Sequence, residues 1–350
     1  MTTRPPFEGR VAYRGLDIYR TEAGPVEIDL SDNTNLFGSA PSALAAIVEW
    51  AKERPARYPS LATVPLREAL ADWLGVGTDN VVGGCGSNDV LDASMRALAE
   101  PGWRLAFAAP TFVMTSHFAT ANSLTPIAVP TFADGEPDVD RLLATGAELI
   151  YLATPNNPSG KAAAAAAIDR LLERAPRLVL LDEAYVEYAG ASRAQDAVAT
   201  GRAIVTRTFS KAWGLAGLRV GYAVGSARLI AEIEKARGPY KVNAVAERAA
   251  AAAVAHDRRW LAGIVADVAA GRAELAARLA ALGYVALPSD ANFVSVRVPS
   301  AAKAAEHLKT AGIGVRAFVG APVFGDLLRI TVGPREIRDR LIAGFESMPR

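Results

Sequence analysis

Residues 203–224 read AIVTRTFSKAWGLAGLRVGYAV, which is a short apolar strand, a polar loop and a second apolar strand. The loop contains hydroxyl side chains, three glycines and two cations, Lys211 and Arg219. Hydroxyl groups, loop amides and a guanidinium together suit a bound phosphate group. The spacing of a P-loop is absent, so Lys211 is either a counter-charge for that phosphate or an amine that forms a Schiff base.

Short apolar strands and helices alternate along the chain on both sides of this stretch. This pattern predicts an α/β fold with a mostly parallel central sheet covered by helices. An alanine run at 162–167 favours a surface helix that ends at Arg174, and a second helix is predicted over 111–121. The strands are predicted at 80–82, 105–108, 125–129, 147–152, 178–181, 203–207 and 221–224.

The pattern changes after residue 243, where a long alanine-rich helical stretch begins. It is predicted to run to about Leu282 with a break near His256, and shorter strands and helices follow it. These elements predict a smaller α+β domain. The expected division is an N-terminal arm with part of the small domain (1–55), a large domain (56–245) and a small C-terminal domain (246–350).

Composition and charge exclude several classes of protein. Lys and Arg number 38 and Asp and Glu 37, a net charge of +1 that gives no support for nucleic-acid binding. The single cysteine, Cys85, and three scattered histidines predict neither disulfides nor a metal site. No apolar run is long enough to span a bilayer, and the N-terminus has no apolar leader segment. A soluble cytoplasmic enzyme without membrane partners is expected.

Three further turns follow apolar strands. GGCGSND at 83–89 precedes a helix, whose first amides can bind phosphate. ATPNNPSG at 153–160 is a turn stiffened by two prolines, and LLDEAYVEY at 180–188 places Asp182 at the carboxyl end of a strand. Each motif alone has an ordinary explanation as a turn or a helix cap. The order of these motifs on successive strand ends is a far more specific signal than any one motif.

The combination resembles the fold-type-I pyridoxal-phosphate enzymes and is most similar to the histidinol-phosphate aminotransferase family, over residues 16–348. The resemblance implies pyridoxal 5'-phosphate as cofactor and a homodimer with shared active sites. Phe112 stands where a tyrosine is common, and the loop at 31–38 lacks a usual proline. The segments that carry the resemblance are SDNTNLFGSAP, RYP, GCGSND, PTF, PNNPSG, DEAYVEY, TFSKAWGLAGLRVGY and LRITVG.

The resemblance also implies roles for particular residues. Lys211, Asp182 and Tyr185 are expected to be catalytic: Lys211 would carry the cofactor, and Asp182 would pair with its ring nitrogen. Tyr185 and Asn157 would hydrogen-bond its ring oxygen, and Phe112 would stack on the ring. The cofactor phosphate is expected to contact Ser87, Asn88, Thr208, Ser210 and Arg219, and also Tyr58 of the neighbouring subunit.

The implied substrates are small molecules. Arg329 would clamp a substrate carboxylate, Arg316 is a second candidate, and Tyr19 and Asn33 would line the substrate entrance. An ordinary ion pair explains Arg316 equally well. The expected reaction moves an amino group between an amino acid or amino-alcohol phosphate and a 2-oxo acid, for which L-histidinol phosphate and 2-oxoglutarate are the best guess. An aromatic amino acid aminotransferase, a threonine-phosphate decarboxylase-like lyase and a non-catalytic regulator on the same fold remain alternatives.

Overall fold

The structure is a computed structural model that describes residues 9–18, 25–52 and 56–349. The strands are β1 (Ile28–Asp29), β2 (Val81–Gly84), β3 (Arg104–Ala109), β4 (Thr125–Pro130), β5 (Leu149–Ala153), β6 (Leu178–Asp182), β7 (Ala203–Thr208), β8 (Gly221–Gly225), β9 (Val285–Ala286), β10 (Phe293–Arg297), β11 (Ile313–Gly314), β12 (Arg316–Ala321) and β13 (Gly325–Thr331). The helices are α1 (Pro41–Lys52), α2 (Val64–Leu74), α3 (Ser87–Leu98), α4 (Met114–Ala121), α5 (Val139–Ala144), α6 (Ala165–Arg174), α7 (Val186–Ala189), α8 (Ala194–Thr200), α9 (Ala227–Lys235), α10 (Ala244–His256), α11 (Arg258–Ala281), α12 (Ala301–Thr310) and α13 (Arg335–Glu346).

Seven strands form the central sheet, in the order β2-β8-β7-β6-β5-β3-β4. Only β8 runs antiparallel to its neighbours, so the prediction of a mostly parallel sheet is confirmed. Every residue of β5, β6 and β7 is buried. Helices cover both faces of such a sheet, which is why these strands are continuous apolar runs rather than alternating ones.

Two predicted helices begin later than their sequences suggest. The alanine run at 162–167 becomes helical only at Ala165. The amide of Ala162 instead donates to Asp290 Oδ2 at 3.0 Å, so a tertiary hydrogen bond outweighs the helix propensity of alanine. The helix predicted over 111–121 likewise begins at Met114. Helix α9 had no counterpart in the prediction, although Leu229, Ile230 and Ile233 form its buried face at helical spacing.

The C-terminal elements form a four-stranded antiparallel sheet in the order β12-β13-β10-β9. Strand β1 joins them by pairing in parallel with β11, with Ile28 opposite Ile313. The break predicted near His256 is present between α10 and α11, where the carboxylate of Asp257 accepts hydrogen bonds from the amide and hydroxyl of Ser42. Strands β1 and β11 form a separate two-stranded sheet, and the backbone oxygen of Leu30, just after β1, accepts a hydrogen bond from the amide of Thr331 in β13. The domain boundaries at 55 and 245 stay a prediction.

Across the ranges that the structure describes, no helix is both long and apolar enough to cross a membrane. Within the same ranges, no three histidine, cysteine or acidic side chains are grouped as a metal ion would require.

Candidate active site

A cavity of about 940 Å³ lies where the carboxyl ends of β3, β5, β6 and β7 meet strands β12 and β13. Tyr19 lies outside the described residues. Tyr58 does not line this cavity; its side chain is 80% exposed and stacks on Tyr240 with ring centres 4.5 Å apart. The predicted site residues that the cavity brings together are Asn33, Ser87, Asn88, Phe112, Asn157, Asp182, Tyr185, Thr208, Ser210, Lys211, Arg219, Arg316 and Arg329.

Lys211 follows β7 and lies on the floor of the cavity. Its Nζ donates a hydrogen bond to the backbone oxygen of Asp32 at 2.8 Å and lies 5.8 Å from the centre of the Tyr185 ring. Burial and then the positive charge of Arg329 lower the pKa of Lys211 to about 7. A large fraction of this amine is therefore neutral near neutral pH, and a neutral amine is a nucleophile.

Asp182 ends β6 and is buried beneath the same cavity. Its Oδ2 accepts a hydrogen bond from the hydroxyl of Tyr151 at 2.8 Å, and its Oδ1 accepts one from the amide of Ala184 at 3.1 Å. Burial raises the pKa of Asp182, and these two donors, the hydroxyl of Thr206 and the charge of Lys211 oppose that rise. A buried carboxylate with unused lone pairs suits a cationic ring nitrogen.

Ser87, Ser210 and Arg219 form a cradle at one end of the cavity. Arg219 Nη1 donates to Ser210 Oγ at 3.2 Å, and helix α3 begins at Ser87, so its first amides lie at the cavity wall. A Cβ at Gly86 would lie 2.7 Å from Arg219 Nη2, and a Cβ at Gly221 would clash with the amide nitrogen of Ser87. Both positions must be glycine for the cradle to close. The cradle offers hydroxyl, amide and guanidinium donors, and this set of donors suits a phosphate dianion.

The glycine turn at 83–89 is held by a partly buried ion pair that sequence reasoning missed. Arg237 Nη2 lies 2.5 Å from Asp89 Oδ2, and that oxygen also accepts the amide of Cys85 at 2.8 Å. Arg237 Nη1 additionally donates to the backbone oxygen of Gly83. Because one carboxylate oxygen joins the turn to the arginine, the cradle has a rigid support. Cys85 itself is exposed.

Arg329 lies on β13 with its guanidinium directed at two acceptors. Its Nη1 donates to Asn157 Oδ1 at 2.7 Å, and its Nη2 donates to the backbone oxygen of Ser31. The rings of Phe293 and Phe318 lie 5.6 and 5.7 Å from its central carbon. Asn157 was predicted to share a cofactor contact with Tyr185, and in this structure its oxygen is the acceptor for Arg329.

Asn33 was predicted at the substrate entrance; it lines the cavity and is only 1% exposed, and its role towards a substrate stays a prediction. Its Nδ2 donates to the hydroxyl of Tyr185 at 2.9 Å, and its amide donates to Thr331 Oγ1 at 3.1 Å. Its φ of 55° is the left-handed conformation that asparagine tolerates better than most residues. The segment after β1 lies against β13, because Thr331 also donates its amide to the backbone oxygen of Leu30.

Arg316 lies directly opposite Arg329 in the register of β12 and β13. Its side chain is half-buried at the cavity wall, and the part of the chain that the structure describes offers it no hydrogen-bond acceptor or carboxylate. The ion pair considered as an alternative is therefore absent among these residues. His117 lines the same cavity. Two guanidinium groups on facing positions favour an anion between them.

Comparisons with known proteins agree with this geometry. Residues 25–345 match the family of class I and II aminotransferases. The chain is 38% identical to a histidinol-phosphate aminotransferase of Roseiflexus castenholzii, over 91% of this chain and 89% of that protein. It is 37% identical to an aromatic amino acid aminotransferase of Corynebacterium glutamicum, over 91% and 92%. The crystal structure of histidinol-phosphate aminotransferase from Sinorhizobium meliloti in complex with pyridoxal-5'-phosphate superposes with a TM-score of 0.88, at 27% identity and over 99% of this chain and 100% of that one.

Proposed function

The chain belongs to the class I and II aminotransferase family, and we propose that it is a pyridoxal-phosphate-dependent aminotransferase that acts on an amino acid or amino-alcohol phosphate and a 2-oxo acid. One observation carries the proposal. A lysine whose pKa is lowered to about 7, a buried carboxylate and an anion cradle line the same cavity.

The residues present fit the cofactor. Lys211 would hold its aldehyde carbon, Asp182 would accept a hydrogen bond from its ring nitrogen, and Ser210 and Arg219 would bind its phosphate. Tyr185 would donate its hydroxyl proton to the ring oxygen, since the hydroxyl oxygen already accepts from Asn33. When bound, pyridoxal phosphate supplies an electron sink for the charge that develops at the substrate Cα.

Lys211 would then move the proton. Its Nζ lies in the same cavity as Asp182 and Arg329 and would be available to take a proton from the Cα of a substrate bound there. A base with a pKa near the working pH both removes a proton from the substrate Cα and returns it to the cofactor carbon efficiently. The pKa of about 7 for Lys211 meets this condition.

The two arginines of β12 and β13 suit substrates with anionic ends. Arg329 and Arg316 would together bind the phosphate of L-histidinol phosphate. In the second half of the reaction they would bind the two carboxylates of 2-oxoglutarate in the same site. This pair makes L-histidinol phosphate with 2-oxoglutarate our preferred reaction. An aromatic amino acid is the second candidate, because Phe112 and Phe318 also line the cavity and a relative of nearly equal identity has that name.

The test is a panel of amino donors with 2-oxoglutarate. The purified protein should bind pyridoxal phosphate and form glutamate fastest with L-histidinol phosphate. Preference for phenylalanine would select the aromatic aminotransferase, and release of carbon dioxide from threonine phosphate without glutamate would select the lyase. A bound cofactor that no donor converts to its amine form would indicate a regulator and contradict the proposal.

Replacing Arg316 by glutamine should separate the two donor classes. We expect kcat/KM for L-histidinol phosphate to fall by about ten- to hundredfold, since a charge-assisted hydrogen bond to phosphate is lost. The value for phenylalanine should change little. Arg297→Gln, on the exposed face of the same sheet, is the matched control. Equal losses of kcat/KM for both donors would show that Arg316 does not bind the phosphate of the substrate.

We further propose a homodimer in which Tyr58 completes the site of the neighbouring subunit. The tyrosine projects from the surface on its stack with Tyr240, away from the cavity of its own chain. Tyr58→Ala and Lys211→Ala homodimers should both be impaired. Dissociated and reassociated together, they should regain activity, because each mixed dimer then contains one native site. A monomer with full activity, or a mixture no more active than Tyr58→Ala alone, contradicts this arrangement.

A further inference from the structure

We propose that Tyr151 is a positioning residue for Asp182, and that its hydroxyl holds this carboxylate ionised with its free lone pairs towards the cavity. The inference deepens the proposed function and rests on it, since it assumes that a cationic ring nitrogen binds at Asp182. Nothing in the strand pattern had marked Tyr151 as more than a core residue.

The register of two neighbouring strands brings Tyr151 to Asp182. In the parallel pair of β5 and β6, Asp182 is opposite Ala153, and Tyr151 lies two residues before Ala153. Residues two apart in a strand share a face, so Tyr151 is the diagonal neighbour of Asp182. A long aromatic side chain spans this diagonal, and its hydroxyl lies 2.8 Å from Asp182 Oδ2.

Water cannot replace the hydrogen bond between Tyr151 and Asp182, because both side chains are buried. Tyr151 is fully buried in the apolar core between the sheet and its helices, and Asp182 is 7% exposed. A buried carboxylate without donors becomes protonated rather than staying charged. Besides Tyr151, the amide of Ala184 donates to it and the hydroxyl of Thr206 also lowers its pKa, and the nearby charged or titratable groups are Lys211 and Tyr185.

The hydroxyl therefore acts on protonation as well as on geometry. Without it, Asp182 keeps the amide of Ala184 and the hydroxyl of Thr206, and it gains a proton at a higher pH. A protonated carboxyl no longer favours a positive charge on the ring nitrogen. A purely structural tyrosine would affect folding, and it would not affect the pH at which the cofactor is lost.

The experiment compares the wild type, Tyr151→Phe and the control Tyr222→Phe. Tyr222 is equally buried, and its hydroxyl has no hydrogen-bond partner within the described ranges. Apoproteins are titrated with pyridoxal phosphate over a series of pH values, and the absorbance of the bound cofactor is followed. Circular dichroism and melting temperature of the apoproteins report folding.

We expect Tyr151→Phe to bind pyridoxal phosphate about tenfold more weakly at neutral pH, with the acidic loss of affinity beginning about one pH unit higher. Tyr222→Phe should match the wild type. In an Asp182→Asn background, Tyr151→Phe should change the affinity less than about twofold, because the two residues act as one unit.

The failures are distinguishable. If the wild type does not bind pyridoxal phosphate, the proposed function falls and this inference falls with it. If the wild type binds and Tyr151→Phe has the same affinity and pH dependence, only the inference is overturned. Should Tyr151→Phe not fold, fluorotyrosine at 151 replaces it. This stronger donor must move the acidic loss of affinity to lower pH, and an unmoved profile overturns the inference.

Discussion

Alanine in place of Lys211 is expected to lower kcat by at least about 10⁴-fold, the largest effect of any single substitution in this chain. The substitution removes both the amine that would anchor the cofactor and the base that would move the substrate proton. Single-turnover measurements with L-histidinol phosphate should show the loss in the chemical step. Borohydride reduction of the wild type should label the peptide that contains residue 211.

The matched control is Lys303→Ala, because Lys303 is an exposed lysine on α12. It should retain wild-type kcat and the borohydride label. A label at another lysine, or a Lys211→Ala protein with substantial activity, would refute the role assigned to Lys211.

The same lysine is expected to reduce the stability of the apoprotein. The pKa of Lys211 in the folded protein, about 7, is below the ordinary lysine value of 10.5, so the unfolded chain binds more protons between these pH values and the stability of the wild type rises with pH across that window. Lys211→Met should therefore melt at a higher temperature than the wild type near pH 7 without cofactor. The gap should narrow towards the upper end of the window. A constant gap would indicate a packing effect instead.

Asparagine in place of Asp182 should lower kcat by about 10³-fold, the second largest effect expected. The amide has nearly the same shape, and Tyr151 can still donate to its oxygen, but it cannot balance a positive ring nitrogen. The fold should not suffer. Burial raises the pKa of Asp182, so its charge costs the apoprotein free energy at neutral pH, and the melting temperature should be equal or higher.

Asp267→Asn, on the exposed side of α11, is the control for Asp182→Asn and should leave kcat and cofactor affinity unchanged. The absorbance of the bound cofactor should shift in Asp182→Asn alone. A protein that loses its fold together with its activity would show that Asp182 is structural.

Much of the site could be predicted because it follows strand ends. Asp182 comes directly after an apolar run, and Lys211 lies three residues after β7 ends. Parallel strands present their carboxyl ends at one edge of the sheet, so residues distant in sequence meet there. This rule predicted that Asp182 and Lys211 lie at one edge of the sheet without any knowledge of the side-chain contacts.

Other features depended on partners that no local pattern specifies. Tyr151 faces Asp182 only because β5 and β6 pair in one register, and a shift by one residue would turn its ring to the opposite face. Asn33 reaches Tyr185 only because β1 pairs with β11 far along the chain. In the same way, a contact with Asp290 keeps Ala162 out of the helix that its neighbours favour.

The sequence by itself determined the alternation of strands and helices, the parallel sheet and the positions of Lys211 and Asp182, because hydrophobic periodicity and strand ends are local properties. Only the tertiary structure decided how the site is supported: the donor on Asp182, the acceptors of Arg329 and the facing pair of Arg316 and Arg329. These contacts depend on strand register and on the pairing of remote segments. Their free energy comes from the burial of the whole chain, which no short stretch of sequence contains.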